Sequence, residues 1–256
     1  MNELNVKLSL APGADPERAE RLRALFPMGE GEADGLTLGL DGEGLSLRWE
    51  DQVLRGDFAR LLPRLRGGVS GELLVRAAKI KNLPGQQTVL DATAGLGEDS
   101  FLLAAAGFRV KMYERNPVIG LLLADALERA GRRSELAEIA GRMELVVGDS
   151  IEAMKELKQA PDVILLDPMF PERQKSALVK KKLQIIQKLE IPCNDERELL
   201  ATAMAVGARR LVIKRPPKGP WLAGFKPDYS IQGKAVRFDC VAAPADKLNK
   251  LLAGGK

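Results

Sequence analysis

The stretch TVLDATAGLGEDSFLLAAAGFRVKMYERNP, residues 88–117, decides the fold. Thr88–Asp91 is a short apolar run that ends on a carboxylate. A turn with Gly95 and Gly97 follows, and then a helical period that carries on to Ala106. A second apolar strand spans Arg109–Tyr113, and a further helical stretch runs to Ala130. Strand, helix and strand at this spacing make one βαβ unit, whose two strands lie parallel under the crossing helix.

The same rhythm continues downstream. Met143–Val147, Val163–Leu166 and Arg210–Ile213 read as strands, with helical stretches to Leu157 and over Glu196–Val206. Tyr229–Ile231 and Ala235–Val241 surround Gln232-Gly233-Lys234 and read as a terminal hairpin. The prediction is an α/β, Rossmann-like fold: a doubly wound, mostly parallel seven-stranded sheet with an antiparallel last strand. Upstream, Leu36–Leu40 and Leu45–Trp49 alternate around Asp41-Gly42-Glu43-Gly44 and predict a β-hairpin. A helical period from Ser70 (Leu73, Leu74, Ala77, Ala78, Ile80) ends at Pro84-Gly85. With Arg66-Gly67-Gly68 as the break, a small N-terminal β-containing subdomain (1–68) precedes the α/β domain (69–256).

Composition narrows the chemistry. The 256 residues are 45% apolar and 29% charged, as in ordinary soluble globular chains, and 4% aromatic, so the core is expected to be aliphatic. The absence of histidine excludes Ser-His-Asp and Cys-His catalysis and any His-ligated metal site. Cys193 and Cys240 form no CxxC pattern, so neither a metal site nor a disulfide scaffold is expected, and a reducing cytoplasm is the default. The start MNELNVKLSL lacks the form of a signal peptide. The longest uncharged run, near Asn116–Ala124, falls short of the roughly 20 residues that span a bilayer. The net charge of +4 is unevenly sorted: residues 1–50 carry five basic and ten acidic residues. Residues 172–190 carry six basic against two acidic, and residues 206–240 eight against two, which suits a polyanionic partner.

Ligands of such sheets bind at the carboxyl ends of the strands, near the switch point. The first end offers Asp91, Gly95, Gly97, Glu98 and Asp99. The glycines permit a tight turn and a close approach to the backbone. Glu98 and Asp99 would repel a pyrophosphate by several kcal/mol, whereas they suit a cationic, phosphate-free ligand such as S-adenosylmethionine. They also fit a plain helix N-terminus, where acids answer the dipole. The second strand ends at Glu114, 19 residues past Gly95, an acceptor for both ribose hydroxyls of NAD or S-adenosylmethionine. The third end, Gly148-Asp149-Ser150, can receive an adenine amino group or simply cap a helix. Acids at three successive strand ends favour a methyl-donor site.

The fourth end reads Asp167-Pro168-Met169-Phe170-Pro171 and resembles the (D/N/S)PP(Y/F) motif of amino-group methyltransferases, with Met169 in place of the second proline. An exocyclic base amine is a poor nucleophile, because its lone pair is delocalised into the ring. Asp167 and the carbonyl of Pro168 can accept its two N–H bonds and hold nitrogen in line with the methyl group, while Phe170 stacks on the extruded base.

DATAGLGEDSFLLA (Asp91–Ala104), ERNPV (Glu114–Val118), LDPMFPERQKSALVKK (Leu166–Lys181) and VIKRP (Val212–Pro216) together closely resemble the bacterial small-subunit ribosomal RNA guanine-N2 methyltransferases of the RsmJ type. The resemblance runs from about Gly67 to Val241, and the first 66 residues match poorly. It implies a class I methyltransferase fold, S-adenosylmethionine as cofactor, no metal, and methylation of N2 of one guanosine near the 3′ end of 16S ribosomal RNA. Carried over by position, Glu98, Asp99, Glu114, Arg115, Asp149, Ser150 and Asp167 would line the cofactor site. Arg173, Lys175, Lys180, Lys181 and Lys182 follow the strand-four motif, and Lys214 and Arg215 leave the next strand on the same edge. All are candidates for RNA phosphate contacts, though Lys180–Lys182 would equally fit a solvated helix face. Two alternatives stay open: an amino-group methyltransferase for DNA adenine or protein glutamine, and a non-catalytic RNA-binding assembly factor. An NAD dehydrogenase is disfavoured by the Glu98-Asp99 turn.

Overall fold

The computed structural model describes residues 6–25, 35–168, 189 and 196–253. The chain begins with β1 (Lys7–Leu10), α1 (Pro16–Leu25), β2 (Leu36–Asp41), β3 (Gly44–Trp49) and β4 (Gln52–Leu54). The expected hairpin is present, with Leu38 opposite Leu47 and Asp41 opposite Gly44. It is the centre of a four-stranded sheet in which β1 runs parallel to β2 and β4 antiparallel to β3. β1, β4 and α1 were not anticipated. The strands are four and three residues long, and α1 buries only Ala19 and Leu22, too thin a stripe to show as a helical period.

Short helices α2 (Leu62–Leu65) and α3 (Leu73–Ala78) lead into the main sheet. α3 ends well before Pro84 because Gln87 intervenes: its side chain accepts from the Ile80 N–H at 3.0 Å and donates to the Ile80 carbonyl at 2.7 Å. The main sheet and its helices follow as β5 (Thr88–Asp91), α4 (Glu98–Ala105), β6 (Arg109–Glu114), α5 (Pro117–Gly131), α6 (Ser134–Ala140), β7 (Met143–Val147), α7 (Ser150–Lys155), β8 (Val163–Leu166), α8 (Glu196–Ala205), β9 (Arg210–Arg215), β10 (Tyr229–Gln232), β11 (Arg237–Ala242) and α9 (Leu248–Ala253). The strand order is β10-β11-β9-β8-β5-β6-β7. β5 to β9 are mutually parallel, and β11, the last strand, lies antiparallel between β9 and β10. The order reverses between β5 and β8. β8 is buried along its whole length, as a central parallel strand with helices on both faces must be. One face packs Val89, Met112 and Leu165 on Leu74, Phe101 and Leu136. The other packs Ile164, Leu166 and Ile213 on Met154, Leu200 and Leu251.

α5 joins the two sheets. Leu123, Ala126 and Ala130 belong to the main core, while Val118, Ile119 and Leu122 pack with Leu38, Leu40, Leu45 and Leu47 of the N-terminal sheet. Burial of each large aliphatic side chain contributes about 1.5–3 kcal/mol, so the small sheet depends on α5 for its core. Polar bonds fix the contact. Asp125, 3% exposed, accepts from Arg18 of α1 and from Arg129 at 2.7 Å. Gly44 has φ +106, and a Cβ there would stand 2.5 Å from the Arg129 Nε and 2.7 Å from the Asp125 carboxylate. Among the described residues no helix is long and apolar enough to cross a membrane, and no group of carboxylates and cysteines is arranged to hold a metal.

Asp125→Ala leaves two guanidinium groups without their buried partner. It is expected to lower the unfolding free energy by about 3 kcal/mol in urea denaturation. A loss under about 1 kcal/mol would show that the two sheets are held by apolar contacts alone.

Candidate active site

The reversal between β5 and β8 opens the sheet at its carboxyl edge, and the loops there are tied to one another. Register sets Asp91 beside Leu165 of β8 and Met112 of β6. The Gly95 N–H donates to Glu114 Oε2 and the Asn116 N–H to Glu114 Oε1, both at 2.8 Å. Glu114 thus joins the first loop to the end of β6. Burial pushes its carboxyl above the usual range, and the bonds from Asn116 and Gly95 oppose that. Gly97, with φ +74, precedes α4; a Cβ there would lie 2.7 Å from Leu123 and 3.3 Å from the Phe58 ring, which stacks on Phe101 at 4.8 Å. Gly95, with φ +55, has no atom within 4 Å of its added Cβ. One glycine is fixed by packing and the other borders open space.

Two residues predicted for the cofactor site, Asp91 and Ser150, are buried. Asp91 is 2% exposed and accepts from Ser100 Oγ at 2.6 Å and from the Thr93 N–H at 3.1 Å. Burial pushes its carboxyl up to about 7, against those two bonds and with help from Asp99 and Asp167. It shapes the loop from inside and offers no open face to a ligand. Ser150 is buried at the start of α7. Asp149 caps α7 through Oδ1, which accepts from Ile151 at 2.8 Å, while Oδ2 lies 3.8 Å from Arg115. Arg115, Asp149, Glu98 and Asp99 all retain exposure in this region, with Glu98 at the first position of α4.

The fourth strand end completes the arrangement. The Asp167 N–H donates to Thr93 Oγ1 at 2.6 Å, which ties the loop after β8 to the loop after β5. Pro168 is buried. Lys214, directly after the Leu166–Ile213 register pair, places its ammonium 2.5 Å from Asp99 Oδ2 and 2.8 Å from Asp167 Oδ2. Burial opposes the charge on Lys214, yet Asp167 and Asp99 outweigh it and hold the ammonium well above its usual range. Burial likewise pushes Asp167 up; Lys214 draws it down and Asp99 pushes it up again, leaving it above the ordinary carboxylate value.

Both basic residues expected on an RNA rim are engaged by groups of the protein itself. Lys214 is drawn into the acidic cleft by two carboxylates. Arg215 is 1% exposed, with Nε donating to the Pro220 carbonyl at 2.8 Å and Nη1 3.8 Å from Glu196, so no phosphate can reach it. Phe170, Arg173, Lys175, Lys180, Lys181, Lys182 and Cys193 lie outside the described residues. Thr93 and Ser100 were not singled out from the sequence, although both stand in the first-turn segment. Counting strand ends in register would also have set Lys214 beside Asp167.

The resulting cleft pairs a backbone-lined turn with the carboxylates of Glu98, Asp99, Glu114, Asp149 and Asp167 and with the Lys214 ammonium. Such a set accepts hydrogen bonds and cations and resists phosphates, which fits S-adenosylmethionine, with its ammonium, sulfonium and ribose hydroxyls, better than a dinucleotide. Three comparisons agree. The family model for SAM-dependent methyltransferases (SAM_MT) matches residues 21–243. Ribosomal RNA small subunit methyltransferase J of Thioalkalivibrio sulfidiphilus is 43% identical, over 93% of this chain and 98% of that protein. The protein of the same name from Pseudomonas fluorescens is 42% identical, over 90% and 89% respectively. A crystal structure of a SAM-dependent methyltransferase from Neisseria gonorrhoeae superposes with a TM-score of 0.74 at 32% identity, over 93% of this chain and 96% of that one.

The two glycines should respond differently to an added methyl. Gly97→Ala combines a left-handed backbone with a clash and is expected to cost about 2–5 kcal/mol of stability. Gly95→Ala should cost about 1 kcal/mol and weaken S-adenosylmethionine binding by about tenfold in calorimetry. Equal effects of the two substitutions would contradict the division of labour.

Proposed function

This chain belongs to the ribosomal RNA small subunit methyltransferase J family of S-adenosylmethionine-dependent methyltransferases, and we propose that it methylates the exocyclic N2 amine of a guanosine in small-subunit (16S) ribosomal RNA. The observation that carries the reading is Asp167. Its carboxylate ends β8 at the switch point and its backbone is bonded to the loop suited to the cofactor. When bound, S-adenosylmethionine supplies an electrophilic methyl group on its sulfonium.

The chain's own residues would then work by positioning. Glu114, beside the two backbone N–H bonds it already accepts, and Asp149 would offer carboxylate oxygens to the ribose and adenine sides, and Asp99 lies where a cationic group would be drawn. Asp167 and the Pro168 carbonyl accept the two N–H bonds of the guanine amine, which directs the nitrogen lone pair out of the ring plane. As nitrogen gains the methyl it gives up one proton, for which Asp167 is the nearby acceptor. Phe170 stacks on the extruded base, and guanine is read by contacts along its Watson–Crick edge. Arg173, Lys175 and Lys180–Lys182 follow Asp167 closely in sequence and would meet RNA phosphates. In this reading residues 69–256 carry the reaction, residues 1–68 are an attachment held by α5, and the protein works in the cytoplasm where ribosomal RNA is assembled.

Asp167→Ala tests the assignment. Methyl transfer to small-subunit RNA is expected to fall by about 10²–10³ in kcat, with S-adenosylmethionine affinity changed by less than about tenfold. Turnover within about threefold of wild type would remove Asp167 from the reaction.

A further inference from the structure

Lys214 has no part in the reaction proposed for Asp167, and its ammonium is already held by two carboxylates. Its surroundings are specific. β9 runs parallel to β8 with Leu166 opposite Ile213, so Asp167 and Lys214 leave the sheet side by side. The ammonium meets Asp167 Oδ2 at 2.8 Å and, from across the cleft, Asp99 Oδ2 of α4 at 2.5 Å. Thr93 Oγ1 holds the Asp167 backbone from the β5 side. With its backbone fixed and Oδ2 engaged, Asp167 has Oδ1 without a hydrogen bond from any of the described residues, which leaves that oxygen for an incoming N–H.

Resting on the reading of Asp167 given above, we infer that Lys214 is a positioning residue for methyl transfer: its ammonium keeps Asp167 an acceptor and turns one carboxylate oxygen toward the substrate amine. The charge balance supports this. Among the described residues the groups facing Asp167 are Lys214 and Arg215 from β9, Asp99 from α4 and Asp91 from β5. Two of these are acids, and burial already favours the protonated carboxyl. With Lys214 neutralised, Asp99 and Asp167 stand together without the ammonium between them, and one takes up a proton. A protonated Asp167 offers an O–H where the amine needs an acceptor, so the amine is no longer aligned. An ion pair with a merely structural role would lose activity equally at every pH.

The experiment is the pH profile of kcat for methyl transfer to small-subunit RNA, at saturating cofactor and RNA. Lys214→Met and Lys214→Gln should move the acid limb upward by about one pH unit or more, with activity recovering as pH rises. Lys214→Arg should keep the wild-type limb. Gln can still hydrogen-bond both carboxylates, so it carries the same expectation if the Met variant does not fold. An unmoved acid limb in the neutral variants, or a loss uniform across pH, overturns the role of Lys214 while leaving the reaction in place. A wild-type protein inactive on this RNA at every pH overturns the reaction itself, and this inference with it.

Discussion

Between β5 and β8 the sheet changes direction, and the hydrogen bond from the Asp167 N–H to Thr93 closes that gap. Every other feature of the site is arranged around it. The loop after β5 must curve back far enough for Thr93 to reach β8, and Asp91 enforces this from inside by binding the Thr93 N–H and the Ser100 hydroxyl together. The arrangement carries a thermodynamic cost, since a buried carboxyl with its pKa near 7 disfavours the folded state as pH rises from the carboxylate range to neutrality. In return the two bonds to Asp91 hold the turn that carries Gly95.

The enclosed ammonium answers the electrostatic consequence of placing so many acids at one edge. Asp99 and Asp167 approach from different elements, and like charges in a partly buried cleft repel strongly. One lysine from β9 relieves both. A cleft left acidic elsewhere still draws a cationic cofactor. The N-terminal sheet contributes at a distance: it packs on α5, and Leu123 of α5 with Phe58 sets the space into which Gly97 fits.

The periodicity of residues 88–117 carried the fold. The boundaries of β5, β7 and β8 agree with the expected strands, and the antiparallel final strand lies within the sheet as read. What escaped was whatever leaves a weak periodic trace: the short β1 and β4, the thin stripe of α1, and α6 inside a connection. At the site, residue types were legible where strand ends marked them, as with Glu114 and Asp167. Partners were not. Arg215 satisfies a backbone carbonyl and Lys214 two carboxylates, yet as letters they are indistinguishable from residues that reach for phosphate. Asp91 is likewise an acid at a strand end, and only three-dimensional packing reveals that both its oxygens are spent within the loop.

The most direct test is the chemical identity of the product. Small-subunit ribosomal RNA is incubated with the protein and S-adenosylmethionine carrying an isotopically labelled methyl group, then digested to nucleosides and resolved by mass spectrometry. Label is expected in N2-methylguanosine, arising from a single position of the RNA. Label in an adenosine, in a ring carbon or ribose, or in no nucleoside at all would contradict it.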